Sequence, residues 1–342
     1  MRRPTITDLA REAGVSVATV DRVLNGRARV REDTALKVRD AANRVGYHGA
    51  TAIGQRVLAH QPQLRLGIIL QKQRHDFYRE LADNLRAQLA ATTSHRVQAS
   101  VVFAETTLPS ELTELLHSFA GKVDAVAATG LDNQQVTAAV SALRAQGIPV
   151  FSLLSDFAQG VRESYVGLNN LKAGRTAGWL MAGLCRQPGK VGIFIGGHRF
   201  HGHELRETGF RSSLREYGAA FELLNPQVNL ESRQLTYEAT LEVLESTPDL
   251  VGIYCAGGGM EGAIAALRET RQPGQICLMV HELTAETQRA LQDGFVSIVI
   301  STPLRELCAE LTGLMIHAVD NGMADTPGQR FLPFQIWTPE SL

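Results

Sequence analysis

The sequence lacks the features that would mark a membrane protein, a secreted protein or a common type of enzyme. No apolar run approaches the roughly 20 residues needed to cross a bilayer, and no apolar segment of a secretory signal follows the first residues, MRRPTITDLAREAGV. The motifs G-x-S-x-G and H-E-x-x-H and a P-loop are missing. We therefore predict no catalytic residue, no cofactor, no metal and no membrane partner.

Cysteines are few and scattered, without a C-x-x-C pair: Cys185, Cys255, Cys277 and Cys308. Reduced, mostly buried thiols in a cytoplasmic protein are the simplest interpretation. Of the 342 residues, 44% are hydrophobic and 20% charged, which is typical of a globular protein with ordinary cores. Residues 1–60 hold 11 basic and 6 acidic side chains, so a head of charge +5 precedes a body of charge −6. A basic head indicates a polyanionic partner.

Local signals in the head predict two short helices joined by a tight turn that contains glycine, followed by a third helix at about 32–45. This arrangement is typical of a helix-turn-helix unit. The first helix has a capping residue and an acid in its first turn, and the second has a polar cap and an Asn-Gly stop. The residues concerned are Thr5 with Asp8, Gly14 at the first stop, Ser16, and Asn25 with Gly26.

A helical wheel separates the two faces of the second helix. At 100° per residue, Val20, Val23 and Leu24 share the core face, and Ala18, Arg22 and Asn25 lie opposite, flanked by Val17 and Thr19. An outward face that begins with small apolar side chains suits the major groove. We expect Val17 and Ala18 to touch thymine methyl groups or to permit close approach, Arg22 to reach guanine, and Ser16, Thr19 and Asn25 to hold phosphates. A generic surface helix in a three-helix cap is the alternative.

The run TITDLAREAGVSVATVDRVLNG, a third helix and then GY resemble the DNA-binding head of the lac repressor (LacI) family. One departure is Asp21, where the family usually has Ser. Its carboxylate is either neutralised by a basic neighbour such as Arg22 or Arg29, or it weakens binding and sharpens specificity. The resemblance also implies that residues 49–63 form a hinge helix on operator DNA, with Leu58 wedged into the minor groove; a plain flexible linker is the alternative. The predicted DNA-binding residues are Thr5, Ser16, Val17, Ala18, Thr19, Arg22, Asn25, Arg29 and Leu58.

From residue 64 onward, apolar strand-like runs such as LRLGIIL alternate with amphipathic helices, in two successive cycles. This pattern predicts an α/β body of two lobes with doubly wound parallel sheets, and a ligand cleft beyond the carboxyl ends of the strands. It resembles the periplasmic-binding-protein-like (type I) effector domain of the same family, which implies three crossovers, near 165–168, 293–302 and 325–333. The predicted domains are a head at 1–48, a hinge at 49–63 and a body at 64–342. Lobe 1 is expected at about 64–166 and 294–325, and lobe 2 at about 167–293 and 326–342.

The cleft candidates are polar or aromatic residues in the loops that follow the strands. The resemblance implies that Phe77 and Tyr78 stack on a sugar ring, and that Arg206, in the pattern R-x-x-G-F, contacts the ligand. Relatives that bind sugars often have Asp and Gln where this chain has His281-Glu282 and Thr302, so a polyol or a sugar acid is also expected. Core or surface roles remain alternatives for the aromatic pair and for Asp156. The predicted effector-binding residues are Phe77, Tyr78, Thr129, Asp156, Asn169, His198, Arg206, Gly257, His281, Glu282 and Thr302.

Together these features predict a homodimeric, cytoplasmic transcription regulator, by default a repressor. It would bind double-stranded, near-palindromic operator DNA under the control of a small carbohydrate-like effector. No heptad pattern follows FQIWTPESL, so a dimer is favoured over a tetramer. The alternative is a carbohydrate-binding or sugar-modifying protein without a regulatory role, such as a transport solute-binding protein or an enzyme.

Overall fold

The computed structural model describes residues 3–25, 30–59, 61–197 and 199–342, with only the backbone described for Glu32 and for residues 55–59. Two compact units divide the chain, residues 1–65 with 89–98, and residues 66–88 with 99–342. The first unit begins with four helices. They are α1 (Ile6–Ala13), α2 (Val17–Asn25), α3 (Glu32–Val45) and α4 (Ala50–Ala59).

The caps predicted at Thr5, Gly14 and Ser16 are present, and the stop predicted at Gly26 lies outside the described residues. The Thr5 hydroxyl accepts a hydrogen bond from the backbone N–H of Asp8 at 3.3 Å, and the Asp8 carboxylate accepts one from the N–H of Thr5 at 2.9 Å. Gly14 ends α1 in the left-handed region, with φ of 67°, which glycine adopts without steric cost. The Ser16 hydroxyl accepts a hydrogen bond from the N–H of Thr19 at 3.1 Å. These local bonds satisfy helix-end groups and fix the turn between α1 and α2.

One apolar core holds the head together and extends past the boundary predicted at residue 48. Leu9 of α1, Val20 of α2, Val38 of α3 and Ile53 of α4 are all fully buried in it. Burying a side chain of this size stabilises a fold by about 1.5–3 kcal/mol. The first turn of α4 is therefore part of the packed head rather than of a free linker.

The remainder of the chain forms two lobes, each built on its own sheet. The sheet of lobe 1 has the strand order β12-β5-β4-β3-β1-β2, and β3, β4 and β12 pair parallel to their neighbours. Helices α5, α6, α7 and α13 accompany these strands. The elements of lobe 1 are β1 (Gln63–Gln71), α5 (Asp76–Ala91), β2 (Arg96–Ala104), α6 (Pro109–Ser118), β3 (Ala125–Ala128), α7 (Gln134–Ala145), β4 (Val150–Leu153), β5 (Ser164–Leu168), α13 (Leu304–Asn321) and β12 (Gly328–Leu332).

Lobe 2 has the strand order β13-β11-β10-β9-β6-β7, with β8 also pairing β6. Only β13 pairs antiparallel among the described strands of this sheet. Apolar clusters lie on both faces, as doubly wound parallel sheets require. The elements of lobe 2 are α8 (Asn170–Leu184), β6 (Gly189–Ile195), α9 (His201–Tyr217), β7 (Phe221–Leu223), β8 (Gln227–Val228), α10 (Arg233–Ser246), β9 (Leu250–Cys255), α11 (Met260–Thr270), β10 (Cys277–His281), α12 (Ala285–Gln292), β11 (Ile298–Ser301) and β13 (Gln335–Trp337).

The lobe boundaries expected from the sequence are wrong at two crossovers. Strand β11 was expected in lobe 1, but its apolar residues pair with β10 in lobe 2. Strand β12 was expected in lobe 2, but all five of its residues pair with β5 in lobe 1. The chain therefore crosses between the lobes after β11 and after β12, at the carboxyl ends of the crossover segments predicted near 293–302 and 325–333. Among the described helices, none is both long and apolar enough to span a membrane.

Candidate functional site

A cleft of about 780 Å³, including its solvent-open part, lies between the two lobes at the carboxyl ends of the strands. Its position is the one expected for doubly wound sheets. Seven of the residues predicted for the effector site line it: Phe77, Tyr78, Arg206, Gly257, His281, Glu282 and Thr302. Sequence reasoning missed several further lining residues, among them Gln71, Lys72, His203 and Glu231.

Arg206 is held at two of its three guanidinium nitrogens. Its Nε donates to Oδ1 of Asn170 at 2.7 Å, and its Nη1 donates to the carbonyl of Ala256 at 2.8 Å. Helix α8 can approach Arg206 closely because Gly174 has no Cβ; a Cβ at this position would lie 2.0 Å from the carbonyl oxygen of Arg206. The side chain is buried, and no described residue accepts a hydrogen bond from Nη2. Arg206 is therefore a fixed cation with one donor group left for a ligand.

Lys72 and Glu231 form an ion pair at the same cleft, although 159 residues separate them. Burial alone would raise the pKa of the Glu231 carboxyl, but the charge of Lys72 and then His203, with hydrogen bonds, bring the pKa to about 2. The N–H of Gly258 donates to Oε1 of Glu231 at 3.2 Å. Glu231 is thus a charged carboxylate that Lys72 neutralises.

His203 is a neutral imidazole with a defined tautomer. Burial lowers its pKa to about 4, against the opposing charge of Glu231. Its Nδ1 accepts a hydrogen bond from the N–H of Gly196 at 3.2 Å, so its Nε2 carries the proton. Nε2 lies 3.6 Å from Oε1 of Glu231, which is too long for a direct hydrogen bond. The ring stacks on Phe200, with 4.8 Å between the ring centroids.

His281 leaves an unpaired nitrogen at the cleft. Its Nε2 lies 2.7 Å from the hydroxyl of Tyr254, and its buried Nδ1 has no partner among the described residues. Burial, and next the charge of Arg206, lower the pKa of His281 well below its ordinary value. A neutral ring with one unpaired nitrogen can donate to or accept from a ligand hydroxyl, depending on its tautomer.

Glu282 is held by Thr302, whose hydroxyl donates to Oε1 at 2.8 Å and whose N–H donates to Oε2 at 2.9 Å. Burial raises the pKa of Glu282 despite these bonds. Its φ of 68° is in the left-handed region, as are those of Lys72, Leu154 and Glu231. These four are among six such non-glycine residues in the described ranges, and all four line the cleft. Backbone strain of this kind collects at binding sites.

Several contacts join the lobes, and three of them cross the cleft away from the crossover between β5 and α8. They are the Lys72–Glu231 pair, the bond from the N–H of Gly202 to Oγ of Ser155 at 3.3 Å, and the approach of Nε2 of His75 to Oε1 of Glu261 at 3.5 Å. The lobes therefore lie in a closed arrangement, in which side chains of both can touch one ligand.

Three predicted effector residues lie outside the cleft lining. Asp156 is only 4% exposed and binds Nε and Nη2 of the buried Arg162 at 2.5 and 2.7 Å. Asn169 caps α8 by accepting from the N–H of Lys172, and the Thr129 hydroxyl donates to the carbonyl of Ile69 at 3.4 Å. Their polar groups serve the fold of the lobes. His198 lies outside the described residues.

Gly257, Gly259 and Gly262 have the spacing G-x-G-x-x-G and follow β9; in other folds a loop with this spacing binds a dinucleotide. Here protein atoms fill the space that these glycines leave. A Cβ at Gly257 would lie 2.3 Å from the His203 ring, and one at Gly259 would lie 2.4 Å from Oγ1 of Thr236. The spacing is therefore explained by packing. In the ranges that the structure describes, no cluster of His, Cys, Asp and Glu is arranged to hold a metal.

The second candidate site is the outward face of α2. Val17 is 42% exposed, and Ala18 and Arg22 are exposed beside it. No described residue forms an ion pair or hydrogen bond with Arg22. Asp21 is partnered by Asn25, whose Nδ2 donates to its Oδ1 at 2.6 Å, rather than by Arg22. Arg29 and the side chain of Leu58 lie outside the described part of the chain.

Two parts of the chain, a short one and a long one, match known families. Residues 5–49 match the family described as bacterial regulatory proteins, lacI family, and residues 66–321 match the periplasmic binding protein domain. The chain carries a lacI-family DNA-binding domain and belongs, over most of its length, to the periplasmic binding protein domain family. The fold and the helix-turn-helix head that the sequence predicts are thereby confirmed.

Relatives of this chain are transcription regulators. It is 28% identical to the HTH-type transcriptional regulator GntR of Pseudomonas aeruginosa over 284 aligned residues, and the aligned region covers 81% of this chain and 79% of that protein. It is 26% identical over 275 residues to the HTH-type transcriptional regulator GalS of Salmonella typhimurium, with coverage of 78% and 75%.

Solved structures share the fold of the body. A glucose-galactose binding protein from Geobacillus stearothermophilus superposes with a TM-score of 0.75 at 19% identity, over 82% of this chain and 99% of that one. A solute binding protein of an ABC transporter from Bacillus halodurans, with bound myo-inositol, superposes with a TM-score of 0.73 at 17% identity, over 82% and 96%.

Proposed function

We propose that this chain is a transcription regulator that binds operator DNA through α2 and a small polyhydroxyl effector in the interlobe cleft. One observation carries the proposal: a single chain combines a helix-turn-helix head, whose Arg22 has no described partner, with a cleft whose polar groups are incompletely paired. The effector would contact Nη2 of Arg206, the hydroxyl of Tyr78 and Nδ1 of His281. The Gln71 side chain, which lines the cleft without a hydrogen bond to any described residue, would add an amide.

The charge balance of the cleft favours an uncharged effector within the class of sugars, polyols and sugar acids. Lys72 is neutralised by Glu231, and the charge of Arg206 acts on Glu282, whose pKa burial nevertheless raises. Two cations and two carboxylates therefore face the same cleft, and a ligand carboxylate would have to displace Glu231 from Lys72 or lie close to Glu282 beside Arg206. Structures of similar fold bind neutral sugars and a cyclic polyol, D-allose, D-arabinose and myo-inositol among them.

The DNA-binding part of the proposal assigns base contacts to α2. Val17 and Ala18 would meet thymine methyl groups, and Arg22 would meet guanine, while Thr5, Ser16, Thr19, Asn25 and Arg29 would lie along the phosphates. Leu58 would act as a minor-groove wedge at the end of α4. We further propose a cytoplasmic homodimer, a near-palindromic operator and repression as the default sign of control.

Binding of the effector would change operator affinity by selecting the closed arrangement of the lobes. Ligand contacts from both lobes add to the contacts that already join the lobes, so a ligand binds the closed state more tightly than an open one. Any resulting effect on DNA affinity requires an equal, reciprocal effect of DNA on effector affinity.

A thermal-shift panel of D-glucose, D-arabinose, myo-inositol and D-gluconate tests the effector class. A ligand at 100 times its Kd adds about 2.7 kcal/mol to the free energy of unfolding and raises Tm. We expect an uncharged compound to raise Tm for the wild type and for Arg211→Gln, a matched control on α9 whose partner is Glu207. Arg206→Gln should lose the shift. No shift across the panel, or an equal shift in Arg206→Gln, would refute the assignment of the site.

Operator selection followed by Arg22→Ala tests the DNA face. A bidentate contact to guanine contributes about 1–3 kcal/mol of discrimination, so the operator should lose roughly 5- to 150-fold in affinity while random DNA loses much less. Equal losses on both DNAs would make Arg22 a phosphate contact instead.

A further inference from the structure

The carboxyl end of α8 brings one cysteine down onto the sheet of lobe 2. Cys185 follows the last residue of α8, and its N–H donates to the carbonyl of Met181 at 3.1 Å. Its Sγ lies 3.4 Å from Sδ of Met181 and 3.7 Å from the carbonyl oxygen of Val251 on β9. The thiol therefore lies directly against β9.

Gly252, the next residue of β9, permits this approach. A Cβ at Gly252 would lie 2.5 Å from Sδ of Met181 and 3.4 Å from Sγ of Cys185. Gly252 pairs in parallel register with Cys277 of β10, and registered neighbours project to the same face of a sheet. Cys185 and Cys277 accordingly pack in one apolar cluster between α8 and this face.

The chemistry of the two thiols suits a pair of unequal partners. A hydrogen-bonding interaction with Cys185, and a further one with Ser297, lower the pKa of Cys277 against burial. The same interaction and burial raise the pKa of Cys185, which is only partly buried. The other two cysteines are buried elsewhere, and burial raises the pKa of each.

We propose that Cys185 and Cys277 form a reversible intramolecular disulfide when the protein meets hydrogen peroxide. The Cys277 thiolate attacks one peroxide oxygen and becomes a sulfenic acid, and the hydroxide released takes up a proton to form water. The Cys185 thiolate, formed by loss of its proton, then attacks the sulfenic sulfur. The hydroxyl leaves with that proton as a second water, so two thiols and one peroxide give one disulfide and two waters.

The disulfide would fix the carboxyl end of the helix that positions Arg206. Asn170, in the first turn of α8, accepts the hydrogen bond from Nε of Arg206. The proposal does not depend on which ligand the cleft binds, because it concerns residues at the opposite end of α8.

Peroxide treatment of the native full-length protein, followed by thiol counting and peptide mapping, tests this pair. The count of free thiols should fall from four to two, with a Cys185–Cys277 cross-linked peptide that dithiothreitol releases. Cys308→Ser should still lose two thiols, and Cys185→Ser should form no intramolecular disulfide. The wild-type peptide map is decisive even if a variant folds poorly. Four surviving thiols, sulfinic acids without a cross-link, or a disulfide between other cysteines would overturn the proposal.

Discussion

The ion pair between Asp156 and Arg162 gives the sharpest prediction about the fold of lobe 1. Arg162 is 2% exposed and donates to both carboxylate oxygens of Asp156, and its Nη1 donates to the carbonyl of Gly328 at 2.6 Å. Ser152 adds a bond to Oδ1 of Asp156 at 2.6 Å. The variant Asp156→Asn removes the negative charge while keeping the size of the side chain, so a buried guanidinium remains without its counter-ion.

The expected cost follows from that geometry. Removing one partner of a buried ion pair costs about 3–5 kcal/mol, since the remaining charge stays desolvated. For a unit of this size, 1 kcal/mol corresponds to a change of about 2–3 °C in Tm, so Tm should fall by roughly 6–15 °C. If Asp156 were an effector ligand at the cleft, as the sequence suggested, its loss would instead weaken effector binding with little effect on Tm.

Thermal unfolding followed by circular dichroism, without ligand, distinguishes these outcomes. The double variant Asp156→Asn/Arg162→Met removes both charges, and it should recover much of the stability that the single variant loses. A change below about 1 kcal/mol in Asp156→Asn, together with loss of effector affinity, would refute our assignment of Asp156 to the fold.

Three further predictions concern other parts of the chain. Gly174→Ala places a Cβ 2.0 Å from the Arg206 carbonyl oxygen and should lower both Tm and effector affinity, whereas Gly183→Ala, which meets no atom within 4 Å, should lower neither. In the folded protein the pKa of His203 is about 4, below its ordinary 6.5, so the unfolded chain takes up the proton first as pH falls. Between pH 6.5 and pH 4 the free energy of unfolding, measured by urea titration, should therefore drop by up to about 3 kcal/mol. The variant His203→Gln should lack this part of the drop. Asp21→Ser removes a carboxylate from the DNA face, so the affinity for random DNA, measured by fluorescence anisotropy, should rise by roughly threefold or more. The ratio of operator affinity to random-DNA affinity should become smaller. Unchanged binding would place Asp21 away from the phosphates.

The head could be predicted almost to the residue because its signals are local. The third helix was expected at 32–45 and found at Glu32–Val45, and the Thr5 and Gly14 caps depend on neighbours within five residues. The core residue Ile53 was not anticipated, since nothing local indicates that α4 packs back on the head.

The limits of prediction appear where contacts join distant parts of the chain. A short apolar run predicts a strand but not its sheet, which is why β11 and β12 were placed in the wrong lobes. Asp156 is an acid in a loop after a strand, as expected of a cleft residue, and only the fold shows that Arg162 binds both of its carboxylate oxygens. Lys72 and Glu231 were missed because 159 residues separate them, although each follows a strand and could have been included on that ground.

The measurement that tests the central claim most directly is a reciprocal titration. Operator affinity is measured with and without the effector found in the panel, and effector affinity is measured with and without operator DNA, on wild type and on Arg206→Gln. We predict that the two ratios of affinity are equal and differ from one in the wild type, and that Arg206→Gln binds operator without responding to the effector. An effector that binds the cleft and leaves operator affinity unchanged would contradict the account.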